Sequence, residues 1–163
     1  MRGGDGVRCW GRDFRERPGA PAPDGFDLDF TDVAELGAGE NFLCARSLDS
    51  KLSCAGLDPS SDSGESFDTS AEITDSASAL AVGLRHICYT TPGSAGVTAG
   101  QVYCWGDNAL GQIDPGRTPA YPMPELVTVI PVLQTGVIAA GANHTCLLAH
   151  RTAVATSFLH CWG

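Results

Sequence analysis

Seven cysteines and four histidines are the residues of this 163-residue chain best equipped for chemistry. Three histidines stand close to a cysteine, as His86 and Cys88, His144 and Cys146, and His160 and Cys161. In a strand, a His and a Cys two positions apart share a face, and such a pair is able to chelate zinc. Tetrahedral zinc sites, however, draw their ligands from CxxC-like pairs, and the sequence has none. Nucleophilic catalysis by a Cys–His pair needs a third, orienting group, which this pattern does not supply. No Gly-x-Ser-x-Gly elbow occurs either. Gly37-Ala38-Gly39 runs into a strand pattern and not a helix, so it is no phosphate-binding loop. Asp58, Asp62, Glu65 and Asp68 offer oxygens to calcium, without the Asp-x-Asp-x-Asp-Gly spacing that wraps a loop round the ion. No catalytic, cofactor-binding or metal residue is expected, and no cofactor.

What remains for the cysteines is bonding to each other. They fall into two signatures that alternate along the chain. The first is an apolar residue, any residue, Cys, Trp or a small residue, then Gly: Val7 to Gly11, Leu52 to Gly56, Val102 to Gly106 and Leu159 to Gly163. The second starts at Gly and ends at Cys: Gly39 to Cys44, Gly83 to Cys88 and Gly141 to Cys146, with His at the fourth place of the last two and Phe42 at that place in the first. Successive first-type cysteines are 45, 50 and 57 residues apart, a period that suits four-stranded blades. Period-two alternation around them, interrupted by Gly, Ser and Pro, disfavours helix pairs.

Alternation puts Val7, Leu52, Val102 and Leu159 on the face of their cysteine and Trp10, Trp105 and Trp162 on the other, both faces being buried if blades stack. The tryptophans read as core aromatics, not as a sugar platform. Each second-type cysteine precedes a first-type one by a hairpin's length. Antiparallel residues opposed at a non-hydrogen-bonded pair sit ~4.5 Å apart at Cα, within disulfide reach. Disulfides are therefore expected between Cys44 and Cys54, Cys88 and Cys104, and Cys146 and Cys161. Cys9 is then the odd thiol, its partner expected from a second-type signature preceding residue 1.

Composition bounds the rest. Ten Lys and Arg stand against 19 Asp and Glu, a net charge of −9, which excludes a nucleic-acid surface and disfavours an anionic membrane. Membrane insertion is not expected: the most apolar stretch, Leu126 to Ala140, is broken by Pro131, Gln134 and Gly136. Residues 1–8 hold no apolar signal core. Asn143-His144-Thr145 is a glycosylation sequon at a tight strand opening. Outside the repeat frame lie a Pro-rich connector, 18–25, and a Ser/Asp-rich segment, 57–78, read as a solvated loop at a blade rim.

The stretch Gly100-Gln101-Val102-Tyr103-Cys104-Trp105-Gly106-Asp107-Asn108-Ala109-Leu110-Gly111-Gln112 resembles the regulator of chromosome condensation repeat family in its cysteine-containing variant. So do Pro124 and Val127 in a Pro-x-x-Val spacing, and Ala140-Gly141-Ala142-Asn143-His144-Thr145. The first third departs from the pattern, with Arg12 to Arg17 after its Trp-Gly, Ala55 after Cys54, and Phe42 for His. The resemblance implies an all-β fold, a partial β-propeller of about three four-stranded blades from a seven-bladed parent. The expected division is one array over 1–163: a degenerate first repeat over 1–56, the loop over 57–78, a second repeat over 79–106 and a third over 107–163.

It also implies a non-enzymatic protein-interaction scaffold that binds an unknown protein partner through blade-rim loops. Relatives exchange nucleotide on a small GTPase, inhibit enzymes or form receptor ectodomains. Nucleotide exchange is not carried over, because no rim loop here matches. Two alternatives stand beside the scaffold: a metal-binding or hydrolytic protein with its site in the Ser/Asp-rich loop, and a truncated fragment without independent activity. The open lateral faces of a three-blade arc call for the remaining blades of a longer chain or for self-association. Disulfides persist outside the cytosol, so a secreted or cell-surface location is expected.

Overall fold

Period-two sequence patterning builds strands across the described residues. The computed structural model describes residues 6–14, 21–61, 66, 72–74, 76–93, 100–116, 121–127, 134–151 and 156–163. Within them the chain forms thirteen strands in four antiparallel sheets. Sheet I pairs β1 (Val7–Arg12) with β2 (Pro21–Leu28). Sheet II runs in order through β3 (Val33–Ala38), β4 (Phe42–Ser47), β5 (Leu52–Gly56) and β6 (Glu72–Thr74). Sheet III holds β7 (Ala79–Val82), β8 (His86–Thr90), β9 (Val102–Gly106) and β10 (Tyr121–Leu126). Sheet IV holds β11 (Gln134–Ala140), β12 (Thr145–Arg151) and β13 (Thr156–Trp162). The first strand of each full sheet is its inner edge: β7 packs against β3 on one side and β11 on the other. This is the all-β partial propeller, with thirteen strands close to three blades of four.

One apolar core runs through sheets II, III and IV, and a smaller one built on Phe26, Leu28 and Phe30 joins sheet I to sheet II. On sheet III, Cys88, Cys104 and Val102 share one face, and Tyr89, Tyr103 and Trp105 the other. Tyr89 stacks on Tyr103 with ring centroids 5.4 Å apart and meets Trp105 edge-on. Burial in this cluster pushes the Tyr89 hydroxyl pKa up.

The two cysteine signatures prove to be one device. The second signature opens with a two-residue turn: the Gly39, Gly83 and Gly141 N–H groups donate to the carbonyls of Phe42, His86 and His144 at 2.8–2.9 Å. The ring at the end of each turn folds back over its glycine, so a Cβ on Gly83 would collide with the His86 ring. Phe42 fills the same place over Gly39. The Gly of the first signature closes the unit: Gly106 (φ 113°) lies against the turn, where a Cβ would stand 2.5 Å from the Arg85 carbonyl oxygen. Main-chain bonds then link successive turns, Glu40 N–H to Leu84 O at 2.9 Å and Leu84 N–H to Ala142 O at 3.1 Å.

Three expectations need correction. Both faces are not buried in every sheet: Trp105 is 2% exposed but Trp10 is 77%, and Val102 is 3% exposed but Leu159 is 67%. Trp10 and Leu159 lie on outer faces of sheets I and IV, where no described residue of another sheet covers them. The Pro-rich connector 18–25 is in part strand, since β2 begins at Pro21. As an edge strand of a two-stranded sheet, β2 tolerates prolines. Segment 57–78 is likewise not loop throughout. It contributes β6 on the outer edge of sheet II and buries Leu57 and Ala77.

Candidate functional site

The residues that recur from repeat to repeat are occupied by one another. Cys44–Cys54, Cys88–Cys104 and Cys146–Cys161 are disulfides between directly opposed residues, each with Cα atoms 4.1 Å apart. Cys9 lies outside these three and faces Phe26 across sheet I. A disulfide sulfur has no thiolate to give a metal. His86, His144 and His160 therefore stand beside cysteines that cannot ligate. Among the described residues no group of three or more His, Cys, Asp or Glu side chains could hold a metal ion.

The loop after β9 is folded round Asn108, whose side chain is fully buried. Its carbonyl oxygen accepts from the Ile113 and Asp114 N–H groups at 2.8 and 3.0 Å, and its amide donates to the Asp114 carbonyl. Gln112 turns back to accept from Leu110 N–H at 2.9 Å. The Gln112 main-chain carbonyl then accepts the Thr145 hydroxyl of sheet IV at 3.0 Å, and Thr145 Oγ1 sits 2.8 Å from His86 Nε2. This chain of polar groups ties sheet III to sheet IV. Desolvation lowers the His86 pKa to about 4, against a smaller opposing pull from Asp107.

A match to the family model of the regulator of chromosome condensation (RCC1) repeat covers residues 99–148, the stretch that holds this loop and Thr145. The chain carries an RCC1 repeat. The match begins ahead of β9 and ends within β12, so the RCC1 repeat straddles sheets III and IV. Solved structures agree on the fold. Yeast RCC1 (Prp20), bound to Kap60, superposes with a TM-score of 0.67 at 19% identity, over 97% of this chain and 39% of that one. Prp20p from Saccharomyces cerevisiae, described with its binding properties to Gsp1p and histones, gives 0.60 at 18% identity, over 85% and 35%. The chain thus spans well under half of these RCC1 proteins. No curated protein matches the sequence.

With the RCC1-repeat residues committed to internal bonds, a separate group of polar side chains lies open on rim loops. One built concavity stands where the link from β2 to β3 meets the β4–β5 hairpin, outside the matched RCC1 repeat. It is a cavity of about 210 Å³ floored by Phe30 and Ala45 and ringed by Asp29, Asp32, Asp49, Ser47 and Lys51. Asp32 adopts φ 50°, unusual for a residue with a Cβ, and this turns its carbonyl to accept from Leu48 N–H at 2.7 Å. The hairpin is thereby fixed to the link. The Ser47 hydroxyl bonds the Asp49 carboxylate and holds its pKa below the usual range, aided by Lys51, whose Nζ is 3.7 Å away.

None of these pocket residues was singled out by sequence. The signal was present in Phe26-Asp27-Leu28-Asp29-Phe30, whose alternation buries the apolar set and turns the aspartates outward. Of the carboxylates weighed for calcium, Asp58 bonds the Ser60 N–H and hydroxyl in a local turn. Asp62, Glu65 and Asp68 lie outside the described residues. The sequon Asn143 is exposed on the β11–β12 turn, while Thr145 is buried.

Proposed function

We propose that the chain is a non-enzymatic protein-interaction scaffold that presents rim loops to a protein partner, with the pocket between the β2–β3 link and the β4–β5 hairpin as a principal contact. The observation that carries this reading is the division of polar groups. Asn108, Gln112, Thr145, His86 and the Cys44–Cys54 and Cys88–Cys104 pairs are buried and bonded within the chain, whereas Asp29, Asp32 and Asp49 gather round an open cavity. In repeat propellers function resides in such loops and not in the repeat. Three carboxylates on a chain of net charge −9 suit a basic partner surface. The disulfide-rich frame supports a secreted or cell-surface setting, where glutathione does not reduce it.

Core histones serve as a defined basic probe, since Prp20p is described with its binding properties to them. The probe tests the chemistry of the pocket, not the cellular partner. Titration by calorimetry at two salt concentrations should show salt-weakened binding that falls about tenfold in the triple variant Asp29→Asn, Asp32→Asn, Asp49→Asn. That loss is of the size expected when three exposed ion pairs are removed together. Absence of binding, or equal binding by the variant, would remove the pocket as the recognition surface.

A further inference from the structure

The turn-closing ring takes three forms in successive sheets: Phe42 in sheet II, His86 in sheet III and His144 in sheet IV. Phe42 and His86 are buried, and His144 is exposed. Of the two buried rings, therefore, one can gain a proton and one cannot.

The bonding round His86 fixes its neutral form. Thr145 has one hydroxyl proton. The Gln112 carbonyl takes it at 3.0 Å in preference to the Cys88 sulfur, a weaker acceptor 3.7 Å away. Thr145 Oγ1 is then an acceptor, so His86 Nε2 must carry the ring hydrogen and donate it. A second proton can go only to Nδ1. Among the described residues that atom has no hydrogen-bond partner, and it lies against the Gly83 Cα, where a Cβ would collide with it. Of the charged and titratable groups facing His86, Asp107 after β9 favours its cation, and His144 on the β11–β12 turn opposes it. Arg85 precedes it in its own turn, and β12 supplies the neutral Thr145. Burial outweighs Asp107, so a charged His86 has to leave its seat.

We propose that the contact between sheets III and IV is an acid-released latch: protonation of His86 breaks the chain from His86 through Thr145 to Gln112 and frees sheet IV, while sheet II stays seated on sheet III. The sheet II–III contact has no buried ring to protonate, since Phe42 stands in that position. There the Leu80 N–H donates to Glu35 Oε2 at 3.1 Å, and Arg46 Nε holds the same oxygen at 3.0 Å. The latch is independent of the scaffold reading and needs no partner.

The sign of the effect follows from linkage. A folded-state pKa of about 4, against an ordinary 6.5, leaves the contact intact above pH 6.5 and weakens it as pH falls toward 4. Hydrogen exchange of the full chain, corrected for intrinsic rates, should show protection in β12 and β13 falling by up to about tenfold per pH unit in that window. Protection in β4 and β5 should hold. His86→Phe, which installs the ring that position 42 already carries, should abolish the difference. Equal acid loss in wild type and His86→Phe, or parallel loss in sheet II, would overturn the latch. Should His86→Phe not fold, ring NMR of the unaltered chain decides. His86 should stay neutral with the hydrogen on Nε2 above pH 6, then titrate together with release of the β12 amides. Titration of His86 with those amides unmoved would overturn it equally.

Discussion

Sheet III and the outer faces of sheets I and IV carry the same residue pattern and treat it in opposite ways. In sheet III the signature tryptophan and the apolar residue before the cysteine are sealed between neighbours. In sheet I the equivalent tryptophan stands in solvent, and in sheet IV the equivalent leucine does. Sheets III and IV share one hydrogen-bond register, down to the opposed cysteines. Strand alternation therefore decides which face a side chain occupies, and only the adjoining sheet decides whether that face is dry. Energetically the difference is large: a Trp buries ~200 Å², worth up to ~5 kcal/mol at about 25 cal/mol per Å².

The sharpest way to break this comparison is to truncate the two tryptophans in turn. Trp105→Ala should cost about 4 kcal/mol in urea unfolding, and Trp10→Ala less than about 0.5 kcal/mol. Similar costs would mean that the outer face of sheet I is covered in solution. The next test uses the disulfides. Cys88–Cys104 and Cys146–Cys161 close loops of nearly equal span, 16 and 15 residues, so chain entropy assigns each about 3 kcal/mol. Double alanine variants should differ by packing alone, with the Cys88/Cys104 pair costing more because both residues are fully buried. A smaller effect is expected from Asn108→Ala. It strips the two N–H groups of Ile113 and Asp114 of their acceptor and should cost about 2 kcal/mol, with sheet IV losing hydrogen-exchange protection before sheet II.

The repeat frame was legible because its signals are local. Cysteines at a hairpin's spacing, apolar residues two before them and glycines at fixed offsets need only strand geometry to interpret. The exposure of Trp10 and Leu159 is not legible in the same way, because burial is a property of what stands opposite, which no window of sequence contains. The prolines of 18–25 speak for a connector only if an inner strand is the alternative; at the outer edge of a sheet their missing donors are harmless. The acidic pocket is hidden for another reason. Its walls come from two segments some 15 residues apart, and the left-handed turn at Asp32 that unites them falls on an aspartate, with no glycine to mark it. The sequence points instead to the aspartates of 57–78, where the carboxylate count is high but Asp58 is spent on its own turn.

The main-chain bonds from the Glu40 turn to the Leu84 turn and on to the Ala142 turn have a further meaning. Because these particular bonds pass through peptide groups, they are indifferent to the side chains mounted at the three positions. An acid, a bulky aliphatic and a methyl already occupy the same place in three successive turns, all turned to solvent. These positions amount to interchangeable fittings on a fixed frame. Every residue type except proline, which lacks the N–H, can be installed at them without loosening the stack.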